Sequence, residues 1–357
     1  AGLSRGLGDV YKRQFLYTLI GSLIIGFIAP EELSTALPIL ATPFLAKAGI
    51  VQAKKHGSLK LKEVNEDSGA ETAQEYIKRI EKIIDDDDKQ EEVIKLATIA
   101  LKFEKRSDAY FYRSSAKTLL GKYKGASKDI TKAIEIEPVA PYYYFSATIK
   151  NELGDCKGAI SDYTNAIELD PTEIDYFQGR ADSKFLLDDY SGSLIDCKKA
   201  IKLDPKDSLS IASKGRAQYY LEDFEGAIKD LKKAVKLDPE NSIALYYLAW
   251  TKYQLENFSG AQKDINKAIK IESEDAKFYN LRGYVKINIE DYEGAIKDFS
   301  KAIELDPENP DNFKGRGNAK DLEDDIEGAK LDYDKAGELG DEEAKQWSKE
   351  MIESNED

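Results

Sequence analysis

The side chains that most often carry chemistry are scarce in this sequence. The 357 residues include one histidine, His56, and two cysteines, Cys156 and Cys197. That composition leaves no His/Cys cluster for zinc and no disulfide framework. No Gly-rich phosphate loop, nucleophile elbow or metal-ligand spacing is found, and Asp and Glu are scattered over solvent-facing positions. Asp85 to Asp88 are four consecutive carboxylates that could attract calcium, but no Gly-containing ligand spacing follows, and such runs are more often solvated turns. The expectation is therefore a non-enzyme with no catalytic residue, no metal and no cofactor. Lys and Arg number 52 against 67 Asp and Glu, a formal charge of −15, which repels polyanions and excludes nucleic acid as the expected partner.

The elements that position side chains recur with a fixed period. Gly followed by a small residue stands at Gly125-Ala126, Gly158-Ala159, Gly192-Ser193, Gly226-Ala227, Gly260-Ala261, Gly294-Ala295 and Gly328-Ala329, spaced by 33 and then five times by 34. Seven residues after each pair comes Ala, from Ala133 to Ala336. Repeats beginning at Ser107, Ala140, Ile174, Ser208, Ser242, Ala276 and Pro310 each read as two helices joined by a short polar turn. Asp155, Asp189, Asp223, Asn257, Asp291 and Asp325 stand where the second helix begins and can accept its free N–H groups; the first repeat has Lys122 there. Pro138, Pro171, Pro205, Pro239 and Pro307 close it.

Packing positions follow the same register. Ser114, Ala147, Ala181, Gly215, Ala249, Gly283 and Gly317 are small and let the two helices approach. Tyr123, Cys156, Tyr190, Phe224, Phe258, Tyr292 and Ile326 share one position and are expected to fill the space between hairpins. Cys197 stands where the other repeats have Ile130, Tyr163, Leu231, Ile265, Phe299 and Tyr333, so both cysteines read as small buried hydrophobes. On the first helices stand Arg113, Arg180, Arg282 and Arg316, with Lys117, Lys150, Lys184, Lys252, Lys286 and Lys320. Each second helix answers with one Asp, at 129, 162, 196, 230, 264, 298 and 332. Because every repeat supplies its own opposite charge, a ladder of structural ion pairs is expected rather than a charged ligand track.

This pattern resembles the tetratricopeptide repeat, a 34-residue helix-turn-helix unit. The resemblance implies an all-α right-handed superhelix (an α-solenoid) over residues 107–340, seven repeats in all. A degenerate hairpin over 71–106 and a helix and tail over 341–357 are expected to cap its ends, the latter through Trp347 and Met351. The basic positions of the first helices depart from the usual Leu and aromatic residues, as in a charged subclass. Ligands of this family lie on the concave face, at repeat positions 2, 5, 9 and 12. Those positions hold Phe111, Tyr144, Phe185, Tyr219, Tyr246, Trp250, Tyr253, Tyr284 and Ile287 as aromatic and apolar candidates, with Arg216, Lys277, Asn280 and Asn318 among them. Such a groove suits a peptide, because Tyr and Trp dominate interface energetics. Lys314 and Asn318 match the start of the family's carboxylate clamp, but no further repeat completes it.

The N-terminal quarter reads differently. Residues 9–14, DVYKRQ, look like one frame through a transposon-end sequencing adapter, so 1–14 are expected to be an assembly scar. Phe15 to Ala29 is an uncharged apolar run within a hydrophobic region, 15–51, that fits either an export signal or a membrane anchor; 52–70 read as a polar linker. The expected function is a non-enzymatic scaffold that holds a protein or peptide in the aromatic groove, exported or membrane-anchored through residues 15–29. The alternative is a self-associating structural module of a membrane-associated complex.

Overall fold

The structure, a computed structural model, describes residues 72–353; the expectations for 1–14, 15–51 and 52–70 lie outside them. Among the described residues the elements are seventeen α-helices and one short 3-10 turn, Asp87–Lys89. A leading hairpin, α1 (Ala73–Ile83) and α2 (Gln90–Phe103), precedes seven repeats. These are α3 (Ser107–Leu119) with α4 (Tyr123–Ile136), α5 (Ala140–Glu152) with α6 (Cys156–Leu169), and α7 (Ile174–Phe185) with α8 (Tyr190–Leu203). Then come α9 (Ser208–Tyr220) with α10 (Phe224–Leu237), α11 (Ser242–Gln254) with α12 (Phe258–Ile271), α13 (Ala276–Asn288) with α14 (Tyr292–Leu305), and α15 (Pro310–Asp321) with α16 (Ile326–Glu338). A last helix, α17 (Glu342–Glu353), follows. The chain forms two compact units, divided between Ser213 and Lys214. Within each, consecutive helices pack pairwise, the arrangement of stacked helical hairpins. None of the described helices is long and apolar enough to cross a membrane.

The helix starts follow from the capping residues. Asp155, Asp189, Asp223, Asn257, Asp291 and Asp325 each accept a hydrogen bond from the backbone N–H of the Gly three residues on. Lys122 makes no side-chain cap. In six of the seven Gly-small pairs the glycine is therefore the partner of a capping side chain. A Cβ on Gly158 or Gly192 would stand about 2 Å from the capping carboxylate, whereas on Gly125 it would meet only the flexible Lys117 stem at 3.4 Å. The second member, from Ala126 to Ala329, is fully buried, as are all seven trailing alanines. The turn between helices needs one residue in the left-handed region. Gly121 and Gly154 fill it in the first two repeats, and Asp188, Glu222, Glu256, Glu290 and Asp324 fill it thereafter, with φ between 56° and 63°.

Side-chain size is matched within and between hairpins. Gly215, Gly283 and Gly317 face Leu231, Phe299 and Tyr333, each leaving less than 3 Å for a Cβ. The rings of Tyr163 and Phe299 also press on the following repeat, where Gly179 and Gly315 make room. Cys156 and Cys197 are buried, as expected of small hydrophobes, and burial raises the Cys156 thiol above its ordinary range. The shared aromatic position behaves differently from its expectation. Tyr190, Phe224 and Phe258 are only half-buried, and each ring lies on the ring at position 12 of its own hairpin, namely Phe185, Tyr219 and Tyr253 at 5.0, 5.9 and 5.6 Å. Ile326 is exposed. Sitting at the first turn of the second helix, this position covers the hairpin's own tip instead of the joint between hairpins.

The charge ladder is present in all seven repeats. Asp129, Asp196, Asp298 and Asp332 each hold an Arg and a Lys; Asp162, Asp230 and Asp264 each hold one Lys. In the fourth repeat the base is Lys214, at the Arg position, and Gln218 replaces the second base. Each Arg also reaches backwards: Arg113, Arg180, Arg282 and Arg316 donate through Nη1 to Thr98, Thr164, Asn266 and Ser300 on the preceding second helix, at 2.9 to 3.2 Å. The guanidinium thus ties two successive hairpins together while its charge is met inside its own.

At the ends, Val93 and Ala100 of α2 are fully buried and the Gln90 amide donates to the Ile84 and Asp86 carbonyls. On α17, Asp341 accepts from the Ala344 N–H at 2.9 Å, and Trp347 packs edge-on to Tyr333 at 5.4 Å. The Met351 side chain lies outside the described residues.

Candidate functional site

The candidate surface of the second unit is built by successive first helices: the end of α9, then α11, α13 and α15. Repeat position 5 lies at the joint with the next first helix and contacts position 3 there. Phe111 stacks on Tyr142 at 5.1 Å, and tilted ring contacts join Tyr144 to Tyr176 at 5.3 Å and Tyr246 to Phe278 at 5.4 Å. Where the pair is polar, Gln178 donates to Ser210 at 3.0 Å and Asn280 to Asn312 at 2.9 Å. Phe111, Tyr144 and Tyr246 are consequently buried, and burial raises the Tyr144 and Tyr246 hydroxyls well above their ordinary range. Phe185, at position 12, is also buried, against Tyr190. These four rings, expected to line a groove, are packing residues: position 3 of the next first helix closes over Phe111, Tyr144 and Tyr246, and Tyr190 of the same hairpin covers Phe185. Asn280 is likewise committed to the joint. Arg216 is 4% exposed and also belongs to the interior of the second unit.

Four rings and one cation of the expected set keep accessible surface: Tyr219, Trp250, Tyr253, Tyr284 and Lys277, with Ile287 beside them. Trp250 sits edge-on to Tyr253 at 5.5 Å and to Tyr246 at 6.4 Å, so the buried Tyr246 is the floor on which the exposed rings rest. Tyr284 rests edge-on against the buried Phe299 at 5.0 Å. Two carboxamides at position 13, not singled out from the sequence, fix the tyrosines. Gln254 donates to the Tyr219 hydroxyl at 3.3 Å, and Asn288 donates to the Tyr253 hydroxyl at 3.0 Å and to the Tyr284 carbonyl at 3.0 Å. The recurrence of an amide one residue after position 12 was the available signal. Burial lowers the Lys277 ammonium from its ordinary range, against the pull of Asp275, Glu272 and Asp306. The result is a rigid strip of aromatic edges and tyrosine hydroxyls, suited to apolar contact with a few directed hydrogen bonds.

The incomplete clamp is engaged within the chain. Lys314 pairs with Asp341 at 2.7 Å, and Asn318 accepts from the Tyr333 hydroxyl at 2.8 Å. Among the described residues no group of three or more His, Cys, Asp or Glu side chains is placed to hold a metal ion.

Paired helices in a 34-residue register, small residues at the crossing and an accessible aromatic strip define a helical-hairpin repeat protein. The tetratricopeptide repeat profile matches residues 140–173, 219–283 and 276–309. The fold is similar to a tetratricopeptide repeat protein from Parabacteroides merdae, at 19% identity and a TM-score of 0.58, covering 69% of this chain and 98% of that one. It is also similar to the C-terminal part of a repeat-containing protein from Cytophaga hutchinsonii, at 18% identity and a TM-score of 0.51, covering 67% and 98%. No curated protein matches the sequence. The repeats over residues 140–173 and 219–309 belong to the tetratricopeptide repeat family.

Proposed function

We propose that the protein is a non-catalytic interaction scaffold whose second unit binds a peptide segment of a partner protein along the strip of Tyr219, Trp250, Tyr253 and Tyr284. The observation that supports this reading is the partial exposure of four rings on three successive first helices, each held by a buried ring beneath it or by an amide at its hydroxyl. Rings fixed before binding lose little entropy on contact, which is why Tyr and Trp serve as interface anchors.

The test is selection of peptides from a display library on the full chain, followed by affinity measurement on Trp250→Ala and Tyr253→Ala with helicity checked by circular dichroism. Each change should weaken binding by about 2 kcal/mol or more, roughly thirtyfold. Selected peptides that bind both variants as well as the parent would remove the strip from the reading. A change in oligomer size with unaltered peptide affinity would instead favour a self-associating module.

A further inference from the structure

A second surface of the same unit has a different chemistry. Lys229, Lys233 and Lys236 on α10 and Lys263, Lys267 and Lys270 on α12 occupy the same three repeat positions. Spacings of four and three residues put each trio on one face of its helix, and all six side chains are exposed. The next second helix, α14, shows what neutralisation of this face looks like. There Lys297 pairs with Glu293 at 2.8 Å and Lys301 with Glu304 at 2.7 Å. In α12, Lys270 stands in place of Glu304 and Ser259 in place of Glu293, whereas α10 has Lys236 at the first of these places and keeps Glu225 at the second, four residues before Lys229. The Asp230 and Asp264 carboxylates of these helices are held from within by Lys214 and Lys252. A chain of net charge −15 therefore presents two adjacent rows of lysine, bordered by Leu237 and Ile271, each 40% exposed.

We propose that this face of α10 and α12 seats on an anionic lipid surface. Protein interfaces draw their energy from Trp, Tyr and Arg and are depleted in Lys, and the two rows contain no such anchor. Lysine suits a diffuse negative surface: its long apolar stem lies along the boundary while the ammonium reaches the headgroups, and a bordering Leu or Ile enters the acyl margin. Nucleic acid fits less well, because a polyanion extending beyond six lysines meets the acidic remainder of the chain.

The full chain is sedimented with phosphatidylcholine vesicles with and without phosphatidylserine, over a range of salt. The comparison chain carries Lys229→Gln, Lys233→Gln, Lys263→Gln and Lys267→Gln together, with helicity verified by circular dichroism. Binding should require phosphatidylserine, weaken as salt rises, and fall by roughly several hundredfold in the variant, at about fivefold for each of the four lysines. Any attachment through the apolar residues 15–29 would be equal on neutral vesicles and unchanged by the substitutions. Equal binding with and without phosphatidylserine, or a variant that sediments like the parent, overturns the proposal. So does a chain indifferent to phosphatidylserine that instead retains duplex DNA or polyglutamate through these lysines. Trp250→Ala leaves the vesicle result unaltered, so failure here is separable from failure of the peptide site.

Discussion

Removal of Asp196 tests whether the charge ladder holds the repeats together. Its carboxylate is 1% exposed and accepts three charged hydrogen bonds: Arg180 Nε at 2.9 Å, Arg180 Nη2 at 2.7 Å and Lys184 Nζ at 2.7 Å. The same guanidinium donates Nη1 to Thr164 at 3.0 Å, so its position also sets the contact with the preceding hairpin. Breaking a buried pair by deleting one partner costs about 3–5 kcal/mol. Here the bases retain 17% and 19% of their exposure and can recover some hydration, which discounts the loss in Asp196→Ala to about 2–3 kcal/mol. Replacing the whole cluster, as Arg180→Met, Lys184→Met and Asp196→Leu together, removes the stranded charges as well and should lose less than about 1.5 kcal/mol. Native-state hydrogen exchange at the α7 and α8 amides reads this local opening energy directly, without assuming that the whole array unfolds in one step. Unchanged protection in Asp196→Ala, or a triple variant less stable than the single one, would refute the reasoning.

Three further outcomes follow from the backbone and from burial. Gly192→Ala should destabilise by about 1–2 kcal/mol, because the new Cβ displaces the Asp189 cap, whereas Gly125→Ala should be neutral or stabilise by up to about 1 kcal/mol; equal effects in urea unfolding would contradict the capping role. Glu222→Gly, Glu256→Gly and Glu290→Gly relieve left-handed backbone at φ near 60° and should each stabilise by about 0.5–1 kcal/mol after the entropy of Gly is subtracted, whereas Gly154→Glu should lose as much. A lower urea midpoint in the Gly series counts against this. Burial pushes the Glu152 carboxyl from 4.5 up to about 7, the hydrogen bond with Tyr123 offsetting only part of it. The folded chain therefore holds a proton that the unfolded chain releases, so this stability is complete below pH 4.5 and is lost as pH rises through 7, by up to about 3 kcal/mol. Glu152→Gln should remove that slope, and an identical pH profile for parent and variant would exclude the assignment.

The repeat register, the helix bounds and the six capping residues were legible because each depends on a local rule applied seven times. The ladder was legible too, since opposite charges recurred in every repeat. The backward reach of Arg113, Arg180, Arg282 and Arg316 was written in Thr98, Thr164, Asn266 and Ser300, but only hairpin stacking shows that fifteen or sixteen residues separate neighbours. The same holds for Gly179 after Tyr163 and Gly315 after Phe299, where a glycine answers a ring from the previous repeat. The groove was the least legible part. Positions inferred from the family did not distinguish rings that face solvent from rings closed over by the next helix.

Periodicity along the chain was enough to dictate paired helices and their stacking partners, because hydrogen-bonded turns, caps and small-residue crossings are settled within about 34 residues. Which aromatic edges stay accessible was settled only by tertiary packing. Tyr246 and Trp250 lie one helical turn apart with similar chemistry, yet Phe278 covers the first and leaves the second partly exposed. That difference depends on what the neighbouring helix places opposite each ring, a contact that no single repeat encodes.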